Sequence, residues 1–315
     1  MTADMLEARY RRLLRAYPKR YRRERGAEMI GTLMEAAGDG QRRPTVREAT
    51  ALVLRGLQAR AGTHDLPADG RGFRGALRLA VLMLVAYAAA GSLAETGRIL
   101  VPIVADRTVA YPSDLIHPLA TVLAAAAVVL VAGGRYVLGL LATVAALAAT
   151  LIVTHLSLVG IDVVTGARYY PEFASTRAFV MTEPTIWPLP LAALLLMPLL
   201  RWPASGARRP GAWLLAVPVA VVLLPTDYDV TIGLQPAATA VVMAGFLLWV
   251  AVDARATIAA GVLLVPIMLA LLGLHALGAW DQPDSSPSRY FWTLVVGALA
   301  LVVSGTLVLR RQARI

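Results

Sequence analysis

From Ala76 onward the sequence is a succession of long apolar runs, and no other feature restricts the fold so tightly. A helix needs ~20 predominantly apolar residues to cross ~30 Å of hydrocarbon. Runs of about that size fall at 76–94, 115–133, 137–159, 186–200, 211–225, 232–252, 257–279 and 290–309. The fourth and fifth are short and carry Pro188, Pro190, Pro198, Pro218 and Pro225, so tilted, broken or re-entrant geometry is expected there. Composition agrees: 58% of residues are hydrophobic and 16% charged, with mean hydropathy +0.64, against ~45–50% and ~25% in soluble domains. The expected fold is all-α, a polytopic membrane bundle of about eight spans over 76–309. A cytoplasmic helical module (1–62) and a linker (63–75) precede it, and a short tail (310–315) follows.

Charge supplies the direction. With the N-terminal region inside, 25 of the 30 basic residues and 10 of the 20 acidic ones fall on the inner side of this map. That gives +15 inside and −5 outside, the bias expected of loops retained in the cytoplasm. The reading is therefore a multi-pass protein of the inner (plasma) membrane with both termini cytoplasmic. The first apolar run starts too deep for a cleavable secretory signal. The basic excess is mainly an orientation signal, and it also offers the N-terminal arginines to anionic lipid of the inner leaflet. Direct nucleic-acid binding is not expected, because neither a helix-turn-helix nor an aromatic-basic pattern is present.

The first 62 residues read as three helices around a small core. Leu6, Tyr10, Leu13, Leu14 and Tyr17 share one helix face, and Pro18 should end that helix. A second helix brings Tyr21, Ile30, Leu33, Met34 and Ala37 to the same core, and Gly38-Asp39-Gly40 stops it. Thr45-Val46-Arg47-Glu48 fits a capping box and opens a third helix through Ala49, Val53, Leu54 and Leu57. About 60 residues make a marginal independent core, so the helices should lean on one another, on the membrane or on a partner.

The stretch from Tyr10 to Met29 resembles the opening helices of a group of actinobacterial membrane proteins. Their cytoplasmic module is similar to the HAAS-type signalling domain associated with PadR-like regulators and to the prefix domain ahead of some permeases. Tyr10, Leu13, Leu14, Tyr17, Pro18, Arg22, Gly26, Glu28 and Met29 carry the likeness, which covers about residues 1–60. It implies a signalling or adaptor module that meets a soluble cytoplasmic protein such as a PadR-like regulator, and it names no ligand. The excess of arginine over lysine, 29 to 1, fits the same source. Packing explains these residues equally well: Tyr17-Pro18 makes a sharp turn, and Glu24 and Glu28 can pair with neighbouring arginines.

Catalytic chemistry finds little support. Phosphate-binding, zincin and nucleophile-elbow motifs are missing, and the chain has no cysteine. No cofactor, no metal and no enzymatic activity are expected. Ionisable residues at span ends are the remaining candidates: His117, His155 and His275 in spans two, three and seven, with Asp162 in the long outside loop 160–185. All should face the outer leaflet, where backbone or water contacts account for them as readily as a ligand pocket does. No two of the histidines share a helix at ligand spacing. Six tryptophans, Trp187, Trp202, Trp213, Trp249, Trp280 and Trp292, sit near predicted span ends like an interfacial belt. The alternatives to an adaptor are a transporter or permease subunit without its own ATPase, suggested by the kinking prolines, and an intramembrane lipid-acting enzyme using His155 and His275.

Overall fold

The computed structural model describes residues 2–38, 41–61, 71–106, 112–157, 160–161, 168–169, 186–201, 234–276 and 286–312. Nearly all of them are helical. The fifth predicted span (211–225), Asp162, Trp202, Trp213 and Trp280 lie outside the described residues.

Helix α1 (Thr2–Leu13) tightens into a 3-10 turn at Leu14–Ala16, and the chain is extended at Tyr17 (φ −80°, ψ 156°). Pro18 then stands at the N-cap of α2 (Lys19–Glu35). A proline disfavours helical geometry in the residue before it, which is why the break falls here. Helix α3 (Val46–Ala61) opens with the expected capping box. Thr45 Oγ1 accepts the Glu48 N–H at 3.2 Å, and Glu48 Oε2 accepts the Thr45 N–H at 3.0 Å. Leu6, Tyr10, Leu14, Tyr17 and Leu52 form the buried core, with Leu13, Tyr21, Met29, Ile30, Leu33, Met34 and Ala37 half-buried around it.

The register of α3 differs from the one expected. Val53 is 36% exposed, and Leu52, Gly56 and Ala59 turn inward instead. Two apolar stripes overlap on this helix, and the one containing Gly56 wins because α3 rests on the 3-10 turn. A Cβ at Gly56 would lie 2.7 Å from Ala16 Cβ and 2.8 Å from the Ala16 carbonyl carbon, so no larger residue permits that contact.

The bundle comprises α4 (Arg71–Asp106), α5 (Pro112–Ala132), α6 (Tyr136–Ser157), α7 (Pro188–Leu199), α8 (Leu234–Trp249), α9 (Ala254–Leu263), α10 (Val265–Ala276) and α11 (Ser286–Gln312). Four stretches are long and apolar enough to cross a membrane: Gly72–Gly97, Tyr136–Val153, Ala254–Gly273 and Tyr290–Arg311. Shorter apolar helices cover Ile116–Ala132, Pro188–Leu199 and Thr239–Trp249. Among the described residues the departure from helix is a two-residue antiparallel pairing, β1 (Gly160–Ile161) with β2 (Arg168–Tyr169). Large apolar side chains point outward along the bundle, with Val129 70%, Leu299 60% and Val303 51% exposed. Water would not tolerate that surface, and hydrocarbon would.

Inside, the contacts are small and close. Leu79, Leu82, Val85, Val131, Leu196, Leu199 and Leu263 belong to one core that joins α4 to α5, α7 and α9. A second core joins α8, α9, α10 and α11 through Met243, Ala260, Leu264, Leu294 and Leu301. Helices α9 and α11 approach at glycines: a Cβ at Gly305 would sit 2.9 Å from the Ala254 carbonyl oxygen, and one at Gly261 3.1 Å from that of Ala298. Such approach maximises van der Waals contact where the solvent is itself apolar. Thr143 and Thr150 donate back to the carbonyls of Gly139 and Ala146, so their hydroxyls are satisfied within α6.

Two helices interrupt the spanning pattern. Leu189, at the start of α7, packs with Ala88, Ala124 and Ala146, which lie near the middles of α4, α5 and α6. Helix α7 therefore begins at mid-depth and runs to one end, and its 12 residues cover only ~18 Å at ~1.5 Å each. The described part of this region is shorter than a full span, and Trp187, at its start, stands near the level of the middles of α4, α5 and α6. Expected span seven overlaps Ala254–Gly273, which is locally irregular at Leu264, where Pro266 can supply no N–H to Val262, but remains one stretch long enough to cross. Helix α4 also runs on past the expected end of span one, so Glu95 and Arg98 are helical and not in a loop.

Candidate partner interface

Most of the arginines on the described bundle helices gather at one end. The turn between α5 and α6 is a Schellman stop, with the Arg135 N–H on the Leu130 carbonyl (2.9 Å), the Gly134 N–H on that of Val131 (3.0 Å) and Gly134 at φ 77°. Arg78 of α4 donates from Nη2 to the Ala132 carbonyl at 2.6 Å and places its guanidinium 5.9 Å from the Tyr136 ring centre. A cation thus meets the negative end of α5. A Cβ at Gly75 would lie 2.9 Å from Arg255 Cδ, and one at Gly72 3.3 Å from Leu309. Arg74, Arg78, Arg135, Arg255 and Arg310 consequently share one end of the bundle. Thr96 with Thr121 (2.8 Å) and Thr239 with Tyr290 (3.0 Å) tie helices together toward the other.

The N-terminal module is attached at the arginine-rich end. Gln58 of α3 donates from Nε2 to the Ala251 carbonyl at 2.8 Å, in the turn between α8 and α9. Asp253 in that turn is 9% exposed. It caps α9 by accepting the Arg255 N–H at 3.0 Å, and its carboxylate also takes Arg255 Nε (2.9 Å) and Nη2 (3.0 Å). A bidentate pair of this kind fixes the turn's geometry, so α3 rests on a rigid seat.

Within the module, Glu48 joins α1 to α3. Its Oε2 accepts Tyr10 Oη at 3.0 Å and Gln41 Nε2 at 3.2 Å, besides the Thr45 N–H. The Thr45 N–H, aided by the Tyr10 and Gln41 donors, holds the Glu48 carboxyl below the usual glutamate range. Burial pushes the Tyr10 phenol up, and the Glu48 carboxylate adds to the shift. Burial also raises Tyr17, whose ring stacks on Tyr21 at 5.3 Å and 18°.

Helix α2 is held least. None of its residues is buried, although one face is apolar. Between α2 and α3 lies an open cleft of ≈ 240 Å³ lined by Tyr21, Arg25, Glu28, Met29, Thr32, Leu33 and Leu52. Of the motif residues, Tyr10, Leu14 and Tyr17 are core, Leu13 and Pro18 are half-buried, and Arg22 encloses its Nε without a hydrogen-bond partner. Gly26 has nothing within 4 Å of a Cβ, Glu28 is exposed, and Glu28 and Met29 line the cleft. The motif thus divides into residues that build the module and a few on its open face.

Of the membrane candidates, His117 alone has its side chain among the described residues. His117 is half-buried in α5, and its carbonyl accepts Thr121 Oγ1 at 3.2 Å. His155 and His275 lie on α6 and α10, with their side chains outside the described residues, as is Asp162. Among the described residues no group of three or more His, Cys, Asp or Glu could hold a metal ion. Sequence reasoning missed Gln58, Gln41, Arg78 and the Asp253–Arg255 pair. Only Glu48 carried a signal, through its capping box. No family model matches the chain, and neither a curated protein nor a solved structure matches it.

Proposed function

We propose that the chain is a regulatory or adaptor protein of the inner membrane, with about eight spans and both termini cytoplasmic, whose N-terminal module docks a soluble cytoplasmic partner. The observation that carries this reading is α2, a 17-residue helix with no buried residue beside an open cleft. A helix whose apolar face is only half covered is unfinished packing, and a partner completes it. The likeness of residues 1–60 to signalling and prefix modules points the same way, and a PadR-like regulator fits the role. The Gln58–Ala251 contact and the rigid Asp253 turn supply a route by which docking reaches the membrane helices.

A photo-crosslinking residue at Thr32, introduced into the full chain in its native host, tests the reading. A soluble protein should be captured there, but not from exposed Met5. Capture of nothing soluble from Thr32 would overturn it, as would an ATPase that co-purifies equally with the full chain and with one lacking residues 2–62. A second reading, a permease subunit, is favoured by the helix that begins at mid-depth (α7) and the break between α9 and α10, since transporters use discontinuous helices at such depth. Substrate flux in proteoliposomes that responds to substitutions at Leu264 or Trp187 would support it.

A further inference from the structure

We infer that the cleft between α2 and α3 takes an acidic amphipathic helix of a partner protein, an inference that rests on the docking role proposed above and names its chemistry. The cleft is walled by two helices and has no sheet edge beside it, so an extended peptide would find no backbone ladder to join. A helix laid in the groove inserts side chains at i, i+4 and i+7 instead. At ≈ 240 Å³ the space falls below the ~300–1,000 Å³ of ordinary small-molecule pockets. It is about the size of one or two large apolar side chains.

Charge selects among helices. Between Thr2 and Ala61 stand fourteen Arg or Lys and seven Asp or Glu, and α2 alone carries Lys19, Arg20, Arg22, Arg23 and Arg25. Arg20 is paired with Glu24 and Arg11 with Glu7. Among the described residues Arg23 and Arg25 are in no ion pair, and Arg25 lines the cleft. The apolar floor of Met29, Leu33 and Leu52, with Arg25 and the carboxylate of Glu28 on its wall, therefore lies within a module of net positive charge, complementary to a helix with apolar anchors and acidic flanks. A flat anionic membrane would neutralise the arginines too. It would leave the floor of the cleft unfilled.

Selection from a display library of helical 14-residue peptides against the full chain in neutral-lipid nanodiscs tests this, with the selected binders then measured on Arg25→Glu and Leu33→Glu variants. Binders should carry apolar residues at i and i+4 with acidic flanks, and Arg25→Glu should weaken them ~10-fold or more, as like charges across an interface do. Basic or aperiodic binders, binders indifferent to both substitutions, or no binders at all would overturn the inference. So would a probe at Thr32 that moves into lipid when phosphatidylglycerol is added. Hydrogen exchange of both variants should match wild type outside α2, which excludes unfolding as the cause. The outcome is separable from the docking role: a soluble protein crosslinked at Thr32 through a segment that is not an acidic helix leaves docking intact and removes only this inference.

Discussion

Two glycines, Gly26 and Gly56, should respond oppositely to alanine. In an open helix Gly→Ala adds ~0.8–1.0 kcal/mol of stability through backbone entropy. Gly26 is such a site, because a Cβ there meets nothing within 4 Å. Gly26→Ala should slow amide exchange in α2 by ~4–5-fold, given a factor of ten per ~1.4 kcal/mol. At Gly56 the same gain opposes contacts at 2.7 Å and 2.8 Å to Ala16 and 3.0 Å to the Tyr17 ring. The Ala16 atoms are a Cβ and a backbone carbon, so no rotamer change relieves them, and overpacking costs ~1–3 kcal/mol. Gly56→Ala should therefore be destabilising by up to ~2 kcal/mol, raising exchange in α3 and the 3-10 turn by as much as ~30-fold. The assay is hydrogen exchange by mass spectrometry on the full chain in nanodiscs. Protection of α3 by Gly56→Ala to the extent seen in α2 with Gly26→Ala would refute the seating of α3 on Leu14–Ala16.

Other substitutions probe separate contacts. Glu48 has a folded pKa below its ordinary value of 4.5, so its contribution is complete above that value and lost as pH falls through the lower, folded one. Exchange in α1 and α3 should rise in this acid window in wild type, while Glu48→Gln, already weakened at neutral pH, should change less; parallel profiles would remove the role given to the carboxylate. Arg78→Met deprives the Ala132 carbonyl of its donor and the α5 terminus of its cation, a loss of ~1–2 kcal/mol. Denaturant titration in mixed micelles should show it, and an unchanged midpoint would contradict the cap. Because the chain has no cysteine, single cysteines report without background. Spin labels at Leu299 and Val303 should contact lipid-soluble relaxant while one at Leu301 should not, and equal access at all three would refute the assigned lipid face of α11. An impermeant maleimide should reach cysteines at Arg135, Arg201 and Arg311 only from the cytoplasmic side, and labelling from outside would reverse the proposed orientation.

What the sequence determined by itself was what one helix or one turn can specify. Apolar runs located α5, α6, α8 and α11 to within a few residues, and the middle of the longer α4, because lipid demands continuous helix with every backbone group satisfied internally. Pro18 and the Thr45–Glu48 box marked their own boundaries, since a missing N–H and a reciprocal cap act over four residues. Tertiary structure decided the rest. Val53 and Leu52 are both good core residues, and only the need to bring α3 onto Ala16 turned Leu52 and Gly56 inward. The depth at which α7 starts follows from Leu189 sharing a buried cluster with Ala88, Ala124 and Ala146, a grouping with no trace in hydropathy. Gln58 and Ala251 lie 193 positions apart, and neither looks exceptional alone. Their pairing, like that of Tyr10 with Glu48, exists only once helices far apart in sequence have been packed side by side.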